Sequence, residues 1–470
     1  HRVNPGPTPP DEPRFDLSFE PPQPRNRLGW YLVLAISAFM VSVQLATYLQ
    51  KPKTSGFRKT EAEMVLRMAA VQQALLAAAG PPPTDSQPTT PPAVRPELEA
   101  LRERALRFAE KDREASRVYA VVSRELGQPI PPKTLRPLAE SKDERDRLLA
   151  SFYSGAATVE PEELARRVND GTVVGRYAAA QVLESAGRST GRDRGLVPAS
   201  QLATWVVVAM AAGGVLLLSV VLWIVYAVAR SRGALRPLGP PLRADNAAFA
   251  DHLALRAGLL FVAFLGLDAL FAFAGDSGLS GGATWKGLLL IAAALIVASV
   301  RIQGRPLGLR TLGMEGRSFG RNVLWGIAAA IANIPVLIVA MLLGLALFPN
   351  LPAPEHPITE EIAKGGWAVA GAVLFLGAVV APIVEEIWFR GLLLPAMVRS
   401  MGGVFGGVFF SSLLFAMVHP TGVPAWPALA AIGAMAALLT FQTRSLVPSI
   451  VMHAVHNGTL LLLNILLFGS

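Results

Sequence analysis

The sequence predicts an all-α fold: a polytopic membrane helix bundle of about nine spans, with an extramembrane all-α unit inserted after the first span. Three observations lead there. Hydrophobic residues make up 52% of the 470 and charged residues only 16%, where a soluble chain carries about a quarter charged. Apolar runs that approach or exceed the ~18–20 residues needed to cross a bilayer as helix recur along the chain. They fall at 28–49, 202–229, 253–274, 284–300, 322–348, 366–398, 403–419, 427–442 and 446–468. The loops between them alternate between arginine-rich and acidic.

Residues 1–27 are Pro-rich and polar, too poor in apolar groups to fold, and read as a disordered tail. The first apolar run, 28–49, is long for a signal-peptide core and is followed by Gln50-Lys51-Pro52-Lys53, so it reads as a retained anchor. Residues 50–200 form a water-soluble helical segment. In it Thr60-Glu61-Ala62-Glu63 is a capping box opening a helix with Met64, Met68, Val71 and Leu75 on one face. Seven prolines between 81 and 96 make a stiff linker. One long helix is then predicted from Glu97, carrying Leu98, Leu101, Ala105, Phe108, Ala115, Val118, Val122 and Leu126, and ending at Gly127 and Pro129. Pro161-Glu162-Glu163 starts another, with proline in its first turn. This segment holds no recognisable chemistry and suits a structural or partner-binding role. The run 202–229 is the second span. Residues 253–468 hold the remaining spans and all the candidate chemistry, and within them 366–398 is too long for one simple span, with Pro382 a candidate kink.

The loops predict an orientation. Arg230, Arg232, Arg236, Arg243 and Arg256 follow the second span, and Arg301, Arg305, Arg310, Arg317 and Arg321 follow the fourth. The loops 275–283 and 349–365 have no arginine and carry Asp276, Glu355, Glu360 and Glu361. The positive-inside bias then puts 230–252 and 301–321 in the cytoplasm and 50–200 outside it. In a bacterium the chain would sit in the plasma (inner) membrane. The net charge of +9 follows from this loop bias, which argues against a nucleic-acid partner. Membrane lipid and a membrane-associated peptide substrate are the expected partners, with 50–200 available to a partner protein. The chain has no cysteine, which excludes disulfides, thiol nucleophiles and Cys-ligated metals.

Charge inside the apolar runs marks the candidate site. Glu385-Glu386-Ile387-Trp388-Phe389-Arg390 follows an uncharged stretch from 366, His419 closes Phe415-Ala416-Met417-Val418, and His453 and Asn457 lie in the last run. Ionisable groups at membrane depth cost at least ~2.5–3.5 kcal/mol each and mark function. Counted at a ~1.5 Å rise, Glu385, His419 and His453 all reach the middle or inner half of the bilayer. Glu386 and Arg390 are an i,i+4 pair suited to a salt bridge, and Glu385 is turned about 100° away from them. Gly402, Gly403, Gly406 and Gly407 form two overlapping GxxxG patterns for close helix contact.

These motifs resemble those of the CAAX-protease and bacteriocin-processing family of intramembrane proteases, which includes the eukaryotic prenyl-protein endopeptidase. That family reads EExxxR, FxxxH and HxxxN on successive membrane helices. Here the pattern falls on Glu385-Glu386-Arg390, Phe415-His419 and His453-Asn457. The resemblance covers 366–468, extends to 253, and implies an intramembrane endopeptidase, in a group often described as metalloproteases. Chemistry points the same way, since peptide hydrolysis needs a base for water and donors for the oxyanion. A carboxylate shielded from water holds a proton more tightly, which suits Glu385 as base. His419, His453 and Asn457 can orient water, hold the oxyanion or protonate the leaving amine. Zinc is the candidate cofactor, with Glu385, His419 and His453 as its ligands, although no HExxH occurs and no metal is required by the sequence.

The bland readings are a structural ion pair for Glu386–Arg390, a helix-end histidine for His419, and helix–helix hydrogen bonding for His453 and Asn457. His252, His356 and His456 read as incidental, and Asp268 as pathway-lining or paired. Gly275-Asp276-Ser277-Gly278 echoes a serine-protease nucleophile turn but lacks the β domain that turn needs. Two rival functions are a catalytically idle membrane scaffold or immunity-type partner on the same fold, and a proton-relaying transporter. A transporter should show internal repeats with broken helices, and none is legible.

Overall fold

The computed structural model describes residues 26–50, 57, 59–79, 94–188, 196–197, 199–239, 247–273, 281–299, 314, 318–349, 351 and 369–468. Most of the Pro-rich tail, the 80–93 linker, the acidic loops at 274–280 and 352–368, residues 300–313, His356 and the side chain of Asp268 lie outside that set. The described residues form helices and no strand, as the composition predicts. The chain divides into two compact units, residues 50–215 and the remainder.

In the 50–215 unit, α2 is Lys59–Ala79, α3 Arg95–Leu106, α4 Arg113–Glu125, α5 Pro132–Ala139, α6 Glu144–Tyr153, α7 Pro161–Val168 and α8 Val173–Ser185. Two expectations are corrected here. The long helix from Glu97 is two helices, because Asp112 turns extended and its carboxylate accepts the Ala115 N–H, starting α4 afresh. And α2 buries Ala62, Leu66, Ala69, Ala70 and Gln73, with Val71 alone of the predicted face, leaving Met64, Met68 and Leu75 exposed. The alanine-rich face wins because it lets the helix approach its neighbours closely, and because Gln73 has a partner inside. Its amide donates to Glu125 (3.1 Å), which also accepts from Gln181 (3.1 Å), while Tyr153 donates to Gln181 (2.8 Å). A second buried polar group is Arg117, paired with Asp146, Asp143 and Asp170. Burial works against its charge, but Asp146 above all, with Glu114 and Asp170, prevails and holds the guanidinium above its ordinary pKa.

The other unit starts with α1, Leu28–Gln50. Helix α9 is Ala199–Ser231, α10 Ala247–Phe273, α11 Gly281–Ser299, α12 Phe319–Leu347, α13 Val369–Ser400, α14 Val404–Met417, α15 Trp426–Thr443 and α16 Val447–Phe468. Segments Val206–Ser231, Ala247–Leu267, Phe319–Leu347, Val369–Ser400 and Val423–Thr443 are long and apolar enough to cross a bilayer. Four shorter apolar stretches lie in α1, α11, α14 and α16. The protein is a polytopic helical bundle, with apolar helices at all nine predicted runs.

Polar side chains bind this bundle together at places where the backbone needs a partner. Trp30 of α1 donates its indole N–H to buried Asp251 of α10 (3.0 Å). Pro335 inside α12 has no N–H, so the Ile331 carbonyl four residues earlier loses its helical donor. Ser219 of α9 supplies one (2.7 Å), and Trp223, one turn on, donates to Ala332 (2.8 Å). The opposite face of α12 lies tight against α16 and the start of α15. A side chain at Gly326 would strike the Pro448 carbonyl and Val451, and one at Gly344 the Pro424 carbonyl.

Candidate active site

The site is built on α13, which has two wide π-helical turns, Leu376–Val380 and Ile387–Leu393, separated by a six-residue α-helical stretch, Ala381–Glu386. π-Turns recur at functional sites because they redirect side chains within a helix. Pro382 gives the first one a cause and a consequence. The Ala381 N–H reaches back to the Leu376 carbonyl. The Gly377 carbonyl would then look to residue 382, which is proline and donates nothing. Asn457 of α16 fills the need, its Nδ2 donating to Gly377 at 2.9 Å.

Glu385 and Glu386 end the α-helical stretch and point to different surroundings. Glu386 is fully buried, and its Oε1 accepts from Arg390 (3.0 Å) and from His453 Nδ1–H (3.1 Å). Arg390 is itself only 1% exposed. Burying a lone ion would cost several kcal/mol, so the three groups are interdependent. Glu385 retains 22% of its side-chain surface and has no bond to the arginine; its Oε2 lies 3.4 Å from His419 Nε2 and 3.9 Å from His453 Nε2.

His419, expected as the last residue of the run 403–419, lies just beyond the helix end. Helix α14 ends at Met417, and His419 sits in the following turn. A residue before proline is disfavoured in helical conformation, and Pro420 follows it. The ring still looks back along α14, with Nδ1–H donating to the Phe415 carbonyl (2.5 Å). Phe415 is the hub. Arg390 lies 4.4 Å above its ring, His419 packs at 4.4 Å and His453 edge-on at 5.7 Å. The glycines are corrected too: Gly402 adopts φ +72° to turn the chain, and Gly407 supplies the close contact, against the backbone at Val398.

The hydrogen bonds fix which atoms can work. Both rings use Nδ1–H on an acceptor, so both Nε2 atoms face Glu385 Oε2, which is buried without a hydrogen-bond partner among the described residues. Three lone-pair atoms so placed repel one another unless a proton or a donor such as water lies between them. Metal-binding histidines are held in this way as well. Among the described residues no three His, Asp or Glu form a group able to hold a metal ion as placed.

The structure thus brings Glu385, Glu386, Arg390, His419 and His453 together, and ties Asn457 to the backbone of the same helix. Sequence reasoning missed Gly377 and undervalued Phe415. The signal for Gly377 was Pro382, since a proline in a helix frees a carbonyl about one turn earlier. No curated protein and no solved structure matches the chain. One family model does match, that of type II CAAX prenyl endopeptidase Rce1-like proteins, over residues 366–459. That span contains both carboxylates, the arginine, both histidines and the asparagine, so the likeness to this family falls on the stretch that carries the whole candidate site.

Proposed function

We propose that the protein is an intramembrane endopeptidase in which Glu385 is the general base. The observation that carries this reading is the convergence of His419 Nε2 and His453 Nε2 on the partly exposed carboxylate of Glu385, beside a Glu386 already neutralised by Arg390. A water among these atoms donates one hydrogen to Glu385 and one to a histidine, which leaves its lone pair for the peptide carbonyl. Attack forms the C–O bond as the proton passes to Glu385. A proton held from the start on Nε2 of the other histidine, between it and Glu385, is donated as a hydrogen bond to the oxyanion. Collapse breaks the C–N bond, with the proton delivered to the leaving amine. Glu386, Arg390 and Asn457 act as positioning residues, Asn457 by holding the Gly377 carbonyl about two turns before the base. The substrate is a peptide segment at the membrane.

The test is cleavage of a membrane-associated peptide library by purified protein. Glu385→Gln should lower the rate by at least ~10²-fold, the contribution of a positioned base, with an unchanged melting temperature. Wild-type turnover by that variant removes the assignment. In the same assay a strong chelator should leave the wild-type rate unaltered. Stoichiometric zinc in active protein, lost together with activity, would replace the metal-free mechanism.

A further inference from the structure

We propose that a groove between α9, α12 and α15 binds one anionic phospholipid, with an acyl chain between the helices and the phosphate at Arg321. The groove encloses about 360 Å³ and includes none of the residues assigned to catalysis. Its wall carries Trp223, Tyr226 and Trp325 in an edge-to-face series, with ring centroids 6.1 and 6.3 Å apart and planes at 89° in both pairs. Two of these rings have their polar atoms tied within the wall. Trp223 donates to the Ala332 carbonyl, and Tyr226 donates to Gln442 Oε1 (3.2 Å). The groove therefore offers hydrocarbon along its length, over a floor that includes Ala329 and Ala332.

From Arg321 to Ala332 the groove follows α12 for roughly 16 Å at ~1.5 Å per residue, close to the depth of one bilayer leaflet. Its mouth is cationic. Arg321 lines it and is exposed, at the N-terminal turn of α12, where the helix dipole also favours an anion. Exposed Arg230 and Arg236 adjoin it. Their segment is fixed across the ends of α9 and α15, because Arg230 and Gln442 both donate to the Arg236 carbonyl (2.9 and 3.2 Å). An apolar slot one leaflet deep with Arg321 at its mouth, and Arg230 and Arg236 on the segment next to lining residues Ala229 and Leu235, complements a lipid that has both a chain and a negative headgroup. A neutral lipid or an uncharged isoprenoid would use only the slot.

The experiment is native mass spectrometry of the full chain, released from mixed vesicles of phosphatidylglycerol and phosphatidylcholine in equal amounts. Wild type should retain phosphatidylglycerol severalfold over phosphatidylcholine. Arg321→Gln with Arg236→Gln changes only exposed side chains and should bring the ratio near one. Ala329→Phe should fill the slot and abolish retention of both lipids. Equal retention by wild type overturns the proposal, as does an unaltered preference in the double arginine variant. Displacement of the lipid by inorganic phosphate alone would show an ion site in its place, and displacement by farnesol as readily as by phosphatidylglycerol an isoprenoid site.

Discussion

Two adjacent glutamates in one helix have been given opposite tasks by their surroundings. Glu386 accepts from Arg390 and His453 in full burial, while Glu385 faces two imidazole nitrogens and keeps access to water. The buried ion pair yields a stability prediction. Arg390→Leu leaves Glu386 charged and unpaired, and should cost about 3–5 kcal/mol. Adding Glu386→Gln removes that charge and should recover part of the loss, although catalysis stays impaired because His453 loses its carboxylate. Thermal unfolding in detergent reads both variants. If the double variant is no more stable than Arg390→Leu alone, the cost was not that of an unpaired charge. Phe415 shows what residue-type reasoning overlooks. It carries no chemistry, yet its ring contacts the arginine and both histidines.

At the scale of elements, prolines inside helices create the joints of the bundle. Pro335 frees the Ile331 carbonyl for Ser219, and Pro382 leaves the Gly377 carbonyl for Asn457. If that is the task of Asn457, it should depend on the proline. Asn457→Leu should destabilise the wild type by about 1–3 kcal/mol, the cost of leaving a half-buried carbonyl without a donor. In a Pro382→Ala background residue 382 regains its N–H, and the same substitution should cost much less. Equal costs in the two backgrounds would detach Asn457 from the π-turn. Sequence patterns made the helices legible, along with the helix start at Pro161 and a distortion at Pro382. They did not reveal which carbonyl the proline freed or what filled it, because that depends on how deeply α16 sits beside α13. The face of α2 was misjudged for a related reason. Methionines outrank alanines in hydrophobicity, but the alanine face is the one that packs closely and carries Gln73 to Glu125. The end of α14 was misplaced because the apolar run continues to Val418, whereas the backbone restriction before Pro420 acts earlier.

At the scale of the molecule, the family match covers 366–459, and the 50–215 unit stands outside it. We place residues 50–200 of that unit outside the cytoplasm on the arginine bias of the loops. The chain has no native cysteine, so single-cysteine variants report without background. Ser154 and Ser231 are both exposed. An impermeant maleimide on intact cells should label Ser154→Cys and spare Ser231→Cys, and the reverse would invert the orientation without touching the catalytic geometry. The three motifs made the grouping of Glu385, Glu386, Arg390, His419 and His453 legible because each is short and lies within one helix or at its end. The lipid groove was not legible, since it is shared by three helices far apart in sequence. The central claim is that Glu385 hydrolyses peptide bonds at the membrane. Its most direct test compares the protein termini in membranes from wild-type and Glu385→Gln cells. A set of new termini at membrane-associated segments, present in wild type and missing from the variant, is the predicted result; identical termini in the two, with both proteins inserted at equal levels, would contradict it.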